Sequence, residues 1–425
     1  MTYFSALGNP LSGNGFPSTG VPGTTAWRAL LALAVVFVLL ATTGWTAIRK
    51  HDLASGPRAA ALMAWEKGSF AGHPLPDPDE SAGRIARYFK RLDAAQQRTL
   101  AQRYPLVVGN LGGAPVELRY QANRTALLKA RDTERDRMTD QRLTDEGRQD
   151  AGHRMHRFES MLRPGRQILA FDPTGRGRAA EVFGDLERAQ RVSVVVPGVD
   201  TELLTFEKSS LPYSAPVGMA KSLQHQQHAT APYTRTATIA WADYTAPVGL
   251  GVDAASGGPA KDGAERLDSF IRTLPAATRA ASGGASGEAA SPKISLFCHS
   301  YGSVVCGVAA HRMPDDVTDI AVSGSPGMRA DNAAQLGTSA HIWAMRDRDD
   351  WIADVPHMNV GGLGHGADPV SDGFGARHLS AAGSIGHTGY FAPHTQSLAN
   401  FAAIGTGSYT DVGCDSSDPE CSAVP

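Results

Sequence analysis

The chain has 425 residues, 42% hydrophobic and 19% charged, enough apolar material for a large globular domain with an accessory region. A formal net charge of −2 and the lack of any Lys/Arg cluster leave no electrostatic case for nucleic acid. The 4 cysteines form neither a CxxC motif nor a Cys/His array of zinc spacing, so no metal and no cofactor are expected.

Residues 1–26 carry no charge and are rich in Gly, Pro, Ser and Thr, which reads as a disordered tail. Ala29 to Ile48 then runs without a charge between Arg28 and Arg49, a length suited to a membrane-spanning helix of ~20 residues. The start is uncharged up to Arg28, and Gly44-Trp45-Thr46-Ala47 is a poor cleavage site. Residues 27–48 are therefore read as a retained anchor rather than a signal peptide. The expectation is a single-pass membrane protein with the membrane as a partner through 27–48. Its orientation stays open: the positive charge after the helix favours a cytoplasmic body. A disulfide between the tail cysteines Cys414 and Cys421 would favour the other side.

Residues 52–165 read as a helical region. Ala59 to Trp65 starts it, a Pro/Asp linker follows, and Ile85, Tyr88, Phe89 and Leu92 recur at helical spacing. Asn123 to Leu162 is charged with sparse apolar positions, as expected of a surface helix or helical hairpin lying on another domain. From Gln167 the period changes. Gln167 to Phe171 and Ala179 to Phe183 read as strands joined by a Pro-Thr-Gly turn. Val192 to Val196 and Thr236 to Trp241 read as buried strands. Ala264 to Leu274 has one apolar helical face, and Ala276 to Pro292 is a small-residue loop. Strands at 294–297, 319–322 and 341–345 alternate with helices. This predicts an α/β fold, a mostly parallel sheet that is antiparallel at its first edge and covered by helices on both faces, over 166–408, with 409–425 as a flexible tail.

The stretch Ile294 to Ser303 ends an apolar run at His299-Ser300-Tyr301-Gly302 and passes at once into a small-residue helix, the pattern of a nucleophile elbow with Ser300 at its tip. A serine hydroxyl needs a base and a group that orients the base, in the chain order Ser, Asp/Glu, His for this arrangement. The strand at 341–345 ends in an acidic loop where Asp347, Asp349 and Asp350 compete. Asp350 is preferred because Ile352, two positions on, turns the chain back into the fold. His357, His365, His378, His387 and His394 are candidates for the base. His387 stands in a loop just ahead of the last helix pattern, Gln396 to Ile404, and is preferred. An oxyanion hole would take its backbone N–H groups from Tyr301 and, after the Pro197-Gly198 turn, from Val199. A plain strand-ending turn fits Pro197-Gly198 equally well. His225 and His228 have a spacing able to bind metal on a helix but lack a third ligand, and read as a solvent-exposed segment.

Several segments together resemble an actinobacterial α/β-hydrolase family catalogued as a domain of unknown function. They are Gly109 to Pro115 with Ala122-Asn123, Val194 to Val199, His299 to Ser303 and Asp349 to Ile352. His365 to Pro369 with Phe374-Gly375-Ala376, and His387 to Tyr390, complete the series. The resemblance implies an α/β-hydrolase fold preceded by a helical region, and a triad of Ser300, Asp350 and His387. It implies no substrate. One departure is Cys298, where the family's glycine would stand two before the serine; close packing of a small side chain is expected there rather than a thiol pair with Cys306. The expected function is a membrane-anchored serine hydrolase, esterase- or lipase-like, acting on a small-molecule or lipid acyl ester. The alternatives are an acyltransferase using the same groups, a non-catalytic ligand-binding scaffold, and a membrane-tethered helical interaction protein. No protein partner is assigned.

Overall fold

The computed structural model describes residues 56–279, 291–358 and 362–424. Residues 55–425 form one compact unit. Its centre is an eight-stranded sheet. In chain order the strands are β1 (Gln167–Asp172), β2 (Arg178–Gly184), β3 (Arg191–Val196), β4 (Thr236–Ala242), β5 (Lys293–His299), β6 (Val317–Ser323), β7 (His341–Met345) and β8 (Arg377–His378). Their spatial order is β8-β7-β6-β5-β3-β4-β2-β1. Pairing is parallel from β8 through to β4. It is antiparallel where β2 joins β4 and where β1 joins β2. The sheet is thus mixed, parallel over its larger part and antiparallel at the edge formed by its first two strands. β2 follows β1 through a tight turn and so returns antiparallel, whereas strands with a long crossover return parallel.

The β-branched run of β3 is buried from Val192 to Val196 because helices cover both faces of the sheet. Val194, Val196, Leu296 and Cys298 point into one core layer, with Leu267, Ile271, Val304 and Val305. Val195 and Phe297 point into the other, with Leu223, Leu398 and Phe401. These side chains identify the covering helices. α1 (Pro57–Glu66), α2 (Ala82–Lys90), α3 (Ala94–Arg103), α4 (Val116–Met138) and α5 (Asp145–Met161) precede the sheet. α6 (Pro216–Thr230), α7 (Gly258–Arg279), α8 (Tyr301–Ala309) and α9 (Gln396–Thr406) alternate with its strands or follow them.

The charged segment is a helical hairpin, α4 and α5, tied to the sheet by polar side chains. Asn123 Nδ2 donates to the carbonyls of Gly109 and Ile168, each at 2.9 Å. Arg119, pushed down to about 10 by burial, donates to the Leu169 carbonyl at 2.9 Å. Arg154 pairs with Glu134 at 2.8 Å and reaches the carbonyls of Pro173 and Gly175 in the β1–β2 turn. Asn110 brackets Phe171, accepting from its N–H at 3.0 Å and donating to its carbonyl at 2.8 Å. It thereby occupies backbone groups at the open edge of β1.

The membrane-spanning helix expected at 27–48 is corrected. Among the described residues no helix is long and apolar enough to cross a membrane, and 27–48 lie outside them. The long helices α4 and α7 carry charges along their length, and the apolar α8 and α9 span 9 and 11 residues, far short of ~20. The single-pass location and the membrane as a partner are withdrawn with the anchor. The tail expected at 1–26 and most of the loop expected at 276–292 also fall outside the described residues. In place of a flexible C-terminal tail, 409–424 packs beside β8: the His378 N–H donates to Asp418 at 3.0 Å, Arg377 donates to the Cys421 carbonyl at 2.8 Å, and Cys414 is bonded to Cys421.

Candidate active site

Strand β5 delivers Ser300 to the carboxyl edge of the sheet, where open α/β sheets place their ligands. Ser300 has φ 56° and ψ −129°, a backbone conformation that non-glycine residues rarely adopt. The neighbours impose it. The Ser300 N–H donates to the Ser323 carbonyl at 3.0 Å, and Ser303 Oγ donates to the Ser300 carbonyl at 2.6 Å. A Cβ at Gly302 would lie 2.2 Å from the Val196 carbonyl oxygen, so only glycine lets α8 start this close to β3.

Cys298 is disulfide-bonded to Cys306, which corrects the expectation of simple packing at that position. The sequence separation of 8 spans the elbow, and both residues are buried where β5 meets α8. The family's glycine is thus replaced by a covalent tie between strand and helix.

The remaining preferred residues converge on Ser300. His387 Nε2 lies 2.8 Å from Ser300 Oγ, and His387 Nδ1 lies 2.8 Å and 3.1 Å from the two carboxylate oxygens of Asp350. An acceptor-only carboxylate at Nδ1 places the ring proton there and leaves Nε2 to accept from the serine hydroxyl. Burial works against the Asp350 charge, but hydrogen bonds from His387, Tyr390 and the Ile352 N–H hold its pKa below the usual carboxylate value.

The competing acids divide by environment. Asp349 is exposed. Asp347 accepts from the Gly386 N–H at 2.8 Å and so fixes the loop that carries His387. Of the other histidines, His365 binds the Ala254 carbonyl, His378 sits beside Ser417, His357 lies beside Ser325, and His394 is exposed. His225 and His228 lie on α6, and no cluster able to hold a metal exists among the described residues.

Gly198 packs directly on Ser300: a Cβ there would be 2.7 Å from Ser300 Cβ and 3.2 Å from the Tyr301 N. The turn bearing Val199 and the first residue of α8 therefore border Ser300 from two sides. Among the described residues, neither the Val199 nor the Tyr301 N–H donates a hydrogen bond to the protein.

Two groups were not singled out from the sequence. His299 donates from Nε2 to the His387 carbonyl at 2.6 Å, with its ring 4.9 Å from the His387 ring. Burial and the neighbouring His387 push His299 down to about 3, so it stays neutral. Tyr390 O–H donates to Asp350 Oδ2 at 2.6 Å and accepts from the Asp347 N–H at 2.9 Å. The only sequence signal for either was adjacency: one precedes Ser300 and the other ends the His387 motif.

A family model described as alpha/beta hydrolase matches residues 172–360, a span that includes Ser300 and Asp350 and ends before His387. A Mycobacterium tuberculosis protein, Uncharacterized protein Rv0963c, is 31% identical over 205 residues, covering 47% of this chain and 73% of that protein. A second from the same organism, Uncharacterized protein Rv2079, is 25% identical over 387 residues, covering 78% of this chain and 57% of its own length. Among solved structures, a 2,6-dihydroxy-pseudo-oxynicotine hydrolase is 11% identical, with coverage of 68% of this chain and 81% of that one and a TM-score of 0.28. A protein of unknown function from Agrobacterium tumefaciens is 8% identical over 44% of this chain and 72% of its own, also at a TM-score of 0.28. Likenesses at that level say nothing of activity. The 31% identity over 73% of the first mycobacterial protein, with the family model over 172–360, places the chain: it belongs to an actinobacterial family of α/β-hydrolase proteins.

Proposed function

We propose that the protein is a serine hydrolase of acyl esters. The supporting observation is the continuous relay from Ser300 Oγ through His387 to Asp350, each link between 2.8 Å and 3.1 Å. In this reading Ser300 Oγ attacks the acyl carbonyl while His387 Nε2 takes the hydroxyl proton. The carbonyl oxygen becomes an oxyanion received by the N–H groups of Val199 and Tyr301. His387 then gives its proton to the leaving alcohol, and the acyl group remains on Ser300. Water, deprotonated by His387, attacks the acyl-enzyme, and His387 returns that proton to Ser300 Oγ as the acyl–oxygen bond breaks and the acid leaves. Asp350 keeps the imidazole in the tautomer that accepts at Nε2 and stabilises the imidazolium once formed.

Hydrolysis of 4-nitrophenyl butyrate tests the reading. Ser300→Ala and His387→Ala are expected to lower kcat/KM by about 10⁴- to 10⁶-fold. His365→Ala and His378→Ala are expected to retain most of the activity, so loss in either of these with retention in His387→Ala would move the base. A folded wild-type protein that hydrolyses no ester would favour a ligand-binding scaffold on the same fold.

A further inference from the structure

We infer that the ester taken by this site carries an apolar acyl chain, held by a rim of exposed hydrophobic side chains around Ser300. This rests on the proposed nucleophile and names the substrate class for it. The observation is where the exposed large apolar residues fall. Val248, Leu250 and Val252 lie on the segment after β4, Trp351 and Leu363 on the segment after β7, and Ile385 on the segment after β8. All three segments leave the carboxyl ends of their strands, the edge at which Ser300 stands.

Short chains of contacts link each segment to residues beside Ser300. Asp200, one residue past Val199, donates its N–H to the Pro247 carbonyl and accepts from the Gly249 N–H, both at 2.8 Å, which lashes 247–250 to the turn beside Ser300. Leu363 pairs with Ser256, whose carbonyl accepts from the Tyr301 hydroxyl at 3.0 Å. The Trp351 ring lies 4.5 Å from the His387 ring. Ile385 stands two residues before His387 and is 82% exposed, while Leu250 is 68% exposed. Apolar surface so placed gains by leaving water, and the group brought there by chemistry at Ser300 is the acyl chain of the ester.

The test is a series of 4-nitrophenyl esters from acetate to decanoate, assayed on the full chain below their aggregation concentrations. With each added methylene kcat/KM is expected to rise about two- to fourfold up to octanoate. In Leu250→Ser and in Ile385→Ser the octanoate-to-acetate ratio is expected to fall at least ~10-fold. Tyr233→Ser alters an exposed apolar residue at the opposite end of β4 and is expected to keep the wild-type ratio. A profile that falls with chain length, or a ratio unchanged in both rim variants, overturns the inference while acetate hydrolysis through Ser300 still stands. A ratio unchanged in the rim variants together with a changed oligomeric state also overturns it, and assigns the rim to contact between copies. If the folded protein hydrolyses no ester at all, the hydrolase reading and the inference fall together.

Discussion

Asp350 is met on one oxygen by His387 Nδ1 and the Ile352 N–H, and on the other by the Tyr390 hydroxyl at 2.6 Å. A hydrogen bond to a charged group contributes about 1.5–3 kcal/mol, so Tyr390→Phe is expected to lower kcat by about tenfold or more with little change in KM. Steady-state kinetics on a short ester checks this, and an unchanged kcat would reduce Tyr390 to a packing role. His299 has a signature in stability rather than turnover. Its pKa is 6.5 when unfolded and about 3 when buried, so between these values the unfolded chain binds the extra proton. Its neutral, buried form is therefore compatible with full stability above pH 6.5, and stability is lost as pH falls towards 3, by up to about 1.4 kcal/mol per pH unit. His299→Gln keeps a donor for the His387 carbonyl but cannot titrate, and its Tm is expected to fall less than that of wild type between pH 6.5 and 4. His365, also depressed by burial, supplies part of the loss that remains. Ser300, Asp350 and His387 could be proposed from the sequence because a nucleophilic serine would dictate which residue types follow it and in what order, and the three side chains lie within hydrogen-bond distance of one another. His299 and Tyr390 could not be, because each acts on a group far away in sequence: His299 reaches His387, and Tyr390 reaches back to Asp350.

At the scale of the element, the elbow is clamped by Cys298–Cys306 as well as by sterics. The short bridged loop, of sequence separation 8, implies about 2.5 kcal/mol of stabilisation through the unfolded chain. The double variant Cys298→Ala/Cys306→Ala is expected to lose about that much in denaturant unfolding, together with part of its activity. Thiol titration of the denatured, unreduced protein should find no free thiol, and reduction should release all 4 cysteines. Two free thiols before reduction would contradict one bridge, and four would contradict both. The strands were legible where buried β-branched runs announce them, as at Val192–Val196. Strand β8 was not, because two residues, Arg377 and His378, carry no period. Cys298 misled because its size fits close packing as well as a bond, and only the geometry of the following helix turn brings Cys306 to it.

Over the whole molecule, the helical layer 57–161 and the sheet share buried polar joints and fall within one compact unit. We therefore propose that the two regions, separable at 165 by composition alone, unfold together. Asn123→Ala removes the buried amide that donates to the carbonyls of Gly109 and Ile168, of which Gly109 keeps Arg119 Nε at 3.3 Å, and is expected to cost about 1–3 kcal/mol. The expected result in calorimetry is a single transition shifted to lower temperature; two separated transitions would show independent domains. The anchor expected at 27–48 rested on hydropathy alone, and it has no counterpart among the described helices. The central claim, that Ser300 is a nucleophile activated by His387, meets its most direct test in covalent chemistry. Intact protein treated with a fluorophosphonate is expected to gain one adduct, mapped by peptide mass spectrometry to Ser300, and Ser300→Ala and His387→Ala are expected to gain none. An adduct on another residue, or equal labelling of Ser300→Ala, would contradict the account.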